Sequence, residues 1–179
     1  MSTVLFFLPF SAVPHSFAYS IAVWPKSHGF PNEGDLPYCD AHHLRAAEKR
    51  VNNKRLDKDF QEGGTAVCLL PWGASISDCD VVNYETSTTF DVPPMHRGDV
   101  ARMAFYLEVH YGITEYGLEL VDRQTYQSSE PNFAYLCTLR SWHEEDPVCS
   151  QIIPSLFSSL LKRKKKFFFS SFFTLGLCF

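Results

Sequence analysis

No Cys-x2-Cys pair occurs among the six cysteines Cys39, Cys68, Cys79, Cys137, Cys149 and Cys178. The spacing of a thiolate zinc site is therefore missing. Cys68 and Cys79 could close a loop in an oxidising compartment, or all six could be free thiols; spacing alone does not pair them. There is also no surplus of positive charge: 16 Lys and Arg against 20 Asp and Glu give a net charge of −4 and a pI near 5.9. A uniformly basic nucleic-acid binder is thus excluded, although a phosphodiesterase is not, because a divalent metal can supply positive charge at the scissile phosphate. A membrane anchor needs ~20 consecutive apolar residues. Phe167–Phe179 is shorter than that and contains serines and a threonine. No Lys or Arg precedes the apolar run Val4–Phe10, and Pro9 interrupts it. The run still resembles the apolar part of a secretory leader, with small residues near Ala12 and Ala18; the alternatives are an unpaired tail or an incorrect gene start.

The length of 179 residues with 45% hydrophobic content suits one domain with a real core. Charge is unevenly spread. Basic residues cluster at 45–58 and 162–166, and acids at 78–91 and 108–122. After Val148 the character changes: acids are absent, Lys162, Arg163, Lys164, Lys165 and Lys166 form one run, and Phe and Ser come in blocks. Such a tail is biased sequence rather than a patterned element. Its composition is what A-rich and T-rich codons give, and a nuclear-localisation or phosphate-binding patch is the alternative use for the basic run.

Along the chain, Ser20–Trp24 predicts a short strand stopped by Pro25, and Gly29, Pro31, Asn32, Gly34 and Pro37 predict a loop. A second strand is expected at His42–Arg45 and a helix over Ala46–Arg55. Gly63 and Gly64 break the chain before expected strands at Ala66–Leu70 and Val81–Tyr84, and Pro93–Pro94 stops the second of these. Val100, Ala101, Ala104, Phe105, Leu107 and Tyr111 recur at three- and four-residue spacing, which predicts a core-packing helix over Arg97–Tyr111. Asp99 and Arg102 form an i, i+3 pair on it. Leu118–Val121 follows, and Tyr135–Trp142 reads as helical or extended. Trp24, Trp72 and Trp142 are expected in the core or on a cleft wall.

Four blocks in this order, VWPKSHGF, DAHHLRAAEKRVNNKR, FDVPPMHRGDVARMAFYLEVHYG with LELVD, and LRSWHEEDPV, resemble the endonuclease I family of secreted and periplasmic nucleases. The likeness covers about residues 20–148. It implies an α+β fold, a mainly helical domain around a ββα-metal (His-Me finger) motif. It also implies a metal-dependent endonuclease without sequence specificity, acting on DNA and often RNA, with one divalent ion, Mg²⁺ or Ca²⁺. In the family a Glu-His pair precedes V-W-P: the Glu helps hold the metal and the His is the general base. This chain has Ile21 and Ala22 there, which offer neither a donor atom nor a titratable group. The family's metal-binding asparagine matches Asn52; Asp40, His42 and His43 fall in its D-L-H-H-L-R-P block, with Ala41 and Ala46 replacing the Leu and Pro. The family continues past W-x-x-x-D-P-V with a basic helix, which the biased tail replaces.

The implied catalysis stabilises the phosphodiester's developing charge with a hard cation while a neutral imidazole takes a proton from attacking water. Oxygen donors such as Asn52 suit Mg²⁺ or Ca²⁺, although a helical Asn is by itself more often an exposed or capping residue. His43 is the candidate replacement base, against the commoner structural histidine; His28, past a proline, is expected to face elsewhere. Lys26, Arg45, Lys54 and Arg55 are candidate phosphate contacts, against an ordinary solvated helix face.

Three domains are expected: an apolar lead at 1–20, a nuclease domain at 21–148 truncated at both ends, and the tail at 149–179, outside the fold. Both abrupt departures from the family pattern fit misplaced exon boundaries, with residues 1–22 and 149–179 arising from them. The expected protein is a monomer without an obligate protein partner. It is either secreted or, if its start is misplaced, of open location. A nuclease impaired at Ile21–Ala22 is the leading reading, and a nucleic-acid-binding pseudoenzyme of the same fold is the alternative. An unrelated small secreted or membrane-attached protein would leave the four ordered blocks unexplained.

Overall fold

Strand β1 (Ala18–Ala22) runs antiparallel to strand β2 (Leu44–Glu48), with Ile21 opposite Arg45 and Ala22 opposite Leu44. Helix α1 (Lys49–Arg55) follows β2 without a break and packs on both strands. The computed structural model describes residues 18–67, 79 and 82–147. The expectations placed on the N-terminal apolar run, Cys68, Trp72, Val81, Cys149, Cys178 and the tail after Val148 lie outside those residues. Every element named here falls in the unit Met1–Asp146.

The strand expected at Ser20–Trp24 runs Ala18–Ala22, and the one expected at Val81–Tyr84 gives way to Asn83–Glu85. The helix expected from Ala46 starts at Lys49, because Ala46–Glu48 extend β2 and pair with β1. Helix propensity is a weak prior that such pairing overrides. The strand expected from His42 starts at Leu44, since His42 and His43 lie in a turn closed by His43 N–H on the Asp40 carbonyl (3.3 Å). The connection from β1 to β2 folds back through a 3-10 turn at Leu36–Cys39. It depends on Gly29: φ is +107°, and an added Cβ would lie 2.8 Å from Leu118 Cδ2 and 2.9 Å from Pro131 Cβ.

A second sheet has the order β3-β6-β5-β4: β3 (Asp59–Phe60), β4 (Thr65–Val67), β5 (Asn83–Glu85) and β6 (Thr89–Asp91). β3 lies parallel to β6, and the other pairings are antiparallel. Helix α2 (Pro94–Tyr111) has a proline in its first turn, where the missing N–H costs nothing. Its buried residues include Val100, Ala101, Ala104, Leu107 and Tyr111, as the spacing predicts, whereas Phe105 is only partly buried. Asp99 and Arg102 pair at 2.6 Å. β7 (Glu119–Val121) and β8 (Asn132–Ala134) pair parallel, and α3 (Leu136–Glu145) settles the Tyr135–Trp142 segment as helix.

Among the described residues, eight short strands in three sheets accompany helices of 7, 18 and 10 residues, so the fold is mixed α+β and not mainly helical. Most strands are two or three residues long, too short for an alternating pattern to register. Cys79 and Cys137 are disulfide-bonded, and Cys39 is free, which sets aside the reading of six free thiols.

The core is aromatic. Trp24, Phe30, Phe60, Phe90, Phe133 and Trp142 are fully buried, and Phe133 lies 5.3 Å from Trp24 and 5.5 Å from Phe60 between ring centroids. Each such side chain contributes on the order of 2–3 kcal/mol through apolar area removed from water. Helices α2 and α3 meet at Gly98, where an added Cβ would come 2.2 Å from the Asp146 carbonyl oxygen. Gly98→Ala is expected to destabilise the fold by about 1–3 kcal/mol through overpacking, measured as a lower urea midpoint with an unchanged slope.

Candidate functional site

Arg55, at the end of α1, is the residue that ties this helix to the first strand. Its Nη1–H donates to the Ala22 carbonyl at 2.7 Å and its Nη2–H to the Val23 carbonyl. The guanidinium is 2% exposed and stacks 4.8 Å from the Phe60 ring centroid. Burial lowers its pKa to about 10 even though Asp57 and Asp59 oppose the shift, so it stays charged at neutral pH. Val23 N–H adds a bond to the His43 carbonyl (2.9 Å), which extends the hairpin pairing past Ala22. The ends of β1, β2 and α1 are thereby held together.

Between them lies a cavity of about 680 Å³. Ile21, Ala22 and Leu44 line it from the strands, Asn52, Asn53, Arg55, Leu56 and Asp57 from the helix and the residues after it, and Pro25, Lys26, Ser27, Tyr38 and Cys39 from the connecting loop. Ile21 and Ala22, about thirty residues before Asn52, thus line the same cavity as it does. The α1 helix ends beside them because Leu56 takes a left-handed φ of 54°.

The other candidates separate. Lys26 is exposed at the cavity, its Nζ 5.5 Å from the Tyr38 ring centroid. Lys54 pairs with Glu85 at 3.1 Å and lies outside the lining. Arg45 is half-buried and donates to the Leu44 carbonyl at 2.9 Å; burial lowers its pKa against the influence of Asp99. Arg55 reaches the cavity wall, but it is buried with its Nη groups turned onto carbonyls, unlike a solvated helix face.

His43 is fully buried, shares a 2.7 Å hydrogen bond between Nε2 and the Pro37 carbonyl, and meets Phe30 edge-on. It is not among the lining residues. Burial lowers its pKa, against the Pro37 contact and Asp40. His28 is also fully buried, with Nε2 3.9 Å from Asp57 Oδ2 and its ring edge-on to Phe133; burial lowers its pKa too. Trp24 and Trp142 belong to the core.

Asp40 is a hub that the sequence pattern did not disclose. Its carboxylate accepts His42 N–H (2.9 Å), Tyr106 O–H (3.1 Å) and Tyr111 O–H (2.8 Å), and His42 Nδ1 lies 2.8 Å away. Burial alone would raise its pKa, but the His42 contacts and the two tyrosines bring it down to about 2. Asp40 therefore pins the connecting loop to α2. The available signal was indirect: an acid two residues before His42, with Tyr106 and Tyr111 five apart on α2.

The lining is poor in donors for a divalent cation: Asn52 and Asn53 supply neutral oxygens and Asp57 one carboxylate, whereas Ile21 and Ala22 supply none. Among the described residues there is no group of three His, Cys, Asp or Glu side chains placed to hold a metal.

The cavity thus lies at a hairpin and a short helix within a mixed α+β frame. The endonuclease I family model matches residues 15–153, and the chain belongs to that family. It is similar to the extracellular ribonuclease of Bacillus amyloliquefaciens, 37% identical over 131 residues that make up 72% of this chain and 42% of the relative. It is also similar to the extracellular ribonuclease of Bacillus subtilis (strain 168), 38% identical over 128 residues, 70% of this chain and 41% of the relative. The chain thus spans about two fifths of the length of these relatives. No solved structure matches. Nucleases of this family are generally dependent on a divalent metal.

Two stability tests follow from the geometry. Arg55→Met removes the donors of the Ala22 and Val23 carbonyls and should cost about 2–5 kcal/mol in urea unfolding. Asp40, whose folded pKa lies below its ordinary value of 3.8, should add stability that is intact above about pH 4 and lost as pH falls toward 2. Asp40→Asn should flatten the stability profile in that window. Glu108 acts in the opposite sense: burial and Glu119 raise its pKa to about 7 despite the Leu120 N–H, so its contribution falls as pH rises from 4.5 to about 7.

Proposed function

We propose that residues 21–148 form an endonuclease I-type nuclease domain of the His-Me finger kind. It would engage DNA or RNA through phosphates without reading sequence, and its phosphodiester hydrolysis is impaired by Ile21 and Ala22. The carrying observation is that Ile21, Ala22 and Asn52 line one cavity at the junction of β1, β2 and α1. A carboxylate at position 21 and an imidazole at position 22 would stand on the lining of the cavity that also holds Asn52. The family's Mg²⁺ or Ca²⁺ dependence belongs to a site so completed. Secretion is proposed because both relatives are named extracellular, and the protein is taken to act as a monomer.

The hairpin-and-helix frame persists although positions 21 and 22 carry no reactive group. That observation also favours a second reading, a binding protein of the same fold with its chemistry lost. Plasmid nicking and RNA cleavage with Mg²⁺ separate the two. Ile21→Glu/Ala22→His is expected to raise cutting at least 100-fold over the unaltered chain, which should cut little. If the double variant folds but does not cut, the binding reading replaces the nuclease one. In either case, binding to nucleic acid should weaken steeply between 50 and 200 mM salt, roughly in proportion to the number of phosphate contacts.

A further inference from the structure

Ile21 and Ala22 change the chemical character of the cavity as well as removing a base. With Leu44 and Tyr38 they give it an apolar and aromatic wall, and about 680 Å³ lies within the range of ~300–1,000 Å³ typical of small-molecule sites. Such a wall suits a flat, weakly hydrated ring, with the attached phosphate left at the solvent-exposed rim, where its charge keeps its hydration. Asn53, Arg55 and Asp57 line its helix side, Arg55 with its Nη groups already turned onto the Ala22 and Val23 carbonyls. The Asn52 carboxamide is half-buried in the wall, and Lys26 sits exposed at the loop side, over the Tyr38 ring at 5.5 Å. A carboxamide offers a paired donor and acceptor, the pattern that an adenine edge complements. A cation at the rim suits a 5′-phosphate.

We propose that the cavity is a metal-independent nucleobase pocket. The ring of an adenine nucleotide would lie against Ile21, Leu44 and Tyr38, its edge on Asn52 and its phosphate toward Lys26. This rests on the reading of the cavity as the nucleic-acid-facing site, but not on hydrolysis. The ring is either that of a free nucleotide or that of a base splayed from a single strand.

The test titrates the unaltered chain in EDTA with adenosine 5′-monophosphate, ribose 5-phosphate and a short oligoadenylate, followed by calorimetry and by the NMR signals of Tyr38 and Leu44. Saturable binding of adenosine 5′-monophosphate is expected, at least tenfold tighter than ribose 5-phosphate and changed less than twofold by Mg²⁺. An oligoadenylate tenfold tighter than the mononucleotide would identify the strand as the source, and equal affinity would identify the free nucleotide. Ala22→Phe, which fills the cavity, should weaken binding at least tenfold with an unchanged melting temperature. If that variant does not fold, the ligand contrast on the unaltered chain decides.

Equal affinity for ribose 5-phosphate, affinity that appears only with Mg²⁺, or unmoved Tyr38 and Leu44 signals would overturn the pocket. Single-stranded RNA held in EDTA with no mononucleotide response would sink the pocket alone. Failure to hold any nucleic acid would sink the proposed function with it.

Discussion

The site depends on one buried charge. Taking a guanidinium out of water costs several kcal/mol unless its donors are satisfied and opposite charge lies near. Arg55 meets both conditions in part: two carbonyls at the end of β1 take its Nη donors, and Asp57 and Asp59 lie close enough to oppose the fall in its pKa. Phe60 and Phe133 flank it at 4.8 and 6.0 Å, adding cation–π attraction in a dry setting. The strand end, the helix end and the aromatic core therefore share one group, and displacing any of them exposes an uncompensated charge.

Much of the fold was legible where periodicity ran long enough. The α2 helix announced itself through residues 100–111, and the structure lengthens it only at the start, to Pro94. The hairpin was read in outline but displaced, because Ala46–Glu48 carry helical composition and strand pairing at once, and only the partner strand decides. The two- and three-residue strands of the second sheet carry no period to detect, and the pairing of β3 with β6 links segments about thirty residues apart.

The site was half legible. The family resemblance implied a common site for positions 21, 22 and 52, and these three residues line one cavity. What the sequence could not disclose is which basic residues remain available. Arg55 and Lys54 are neighbours on a seven-residue helix, yet one is sealed beneath β1 and the other is engaged by Glu85 across the surface. Asp40 likewise looked like a minor member of a histidine block, because its partners Tyr106 and Tyr111 lie more than sixty residues downstream.

The grip that Arg55 takes on β1 is on carbonyl oxygens, which every residue carries whatever its side chain. The hold is therefore indifferent to the side chain at position 22. Position 21 is different: Ile21 is 6% exposed within the core, so a change there would be felt by the packing of the hairpin as well as by the cavity.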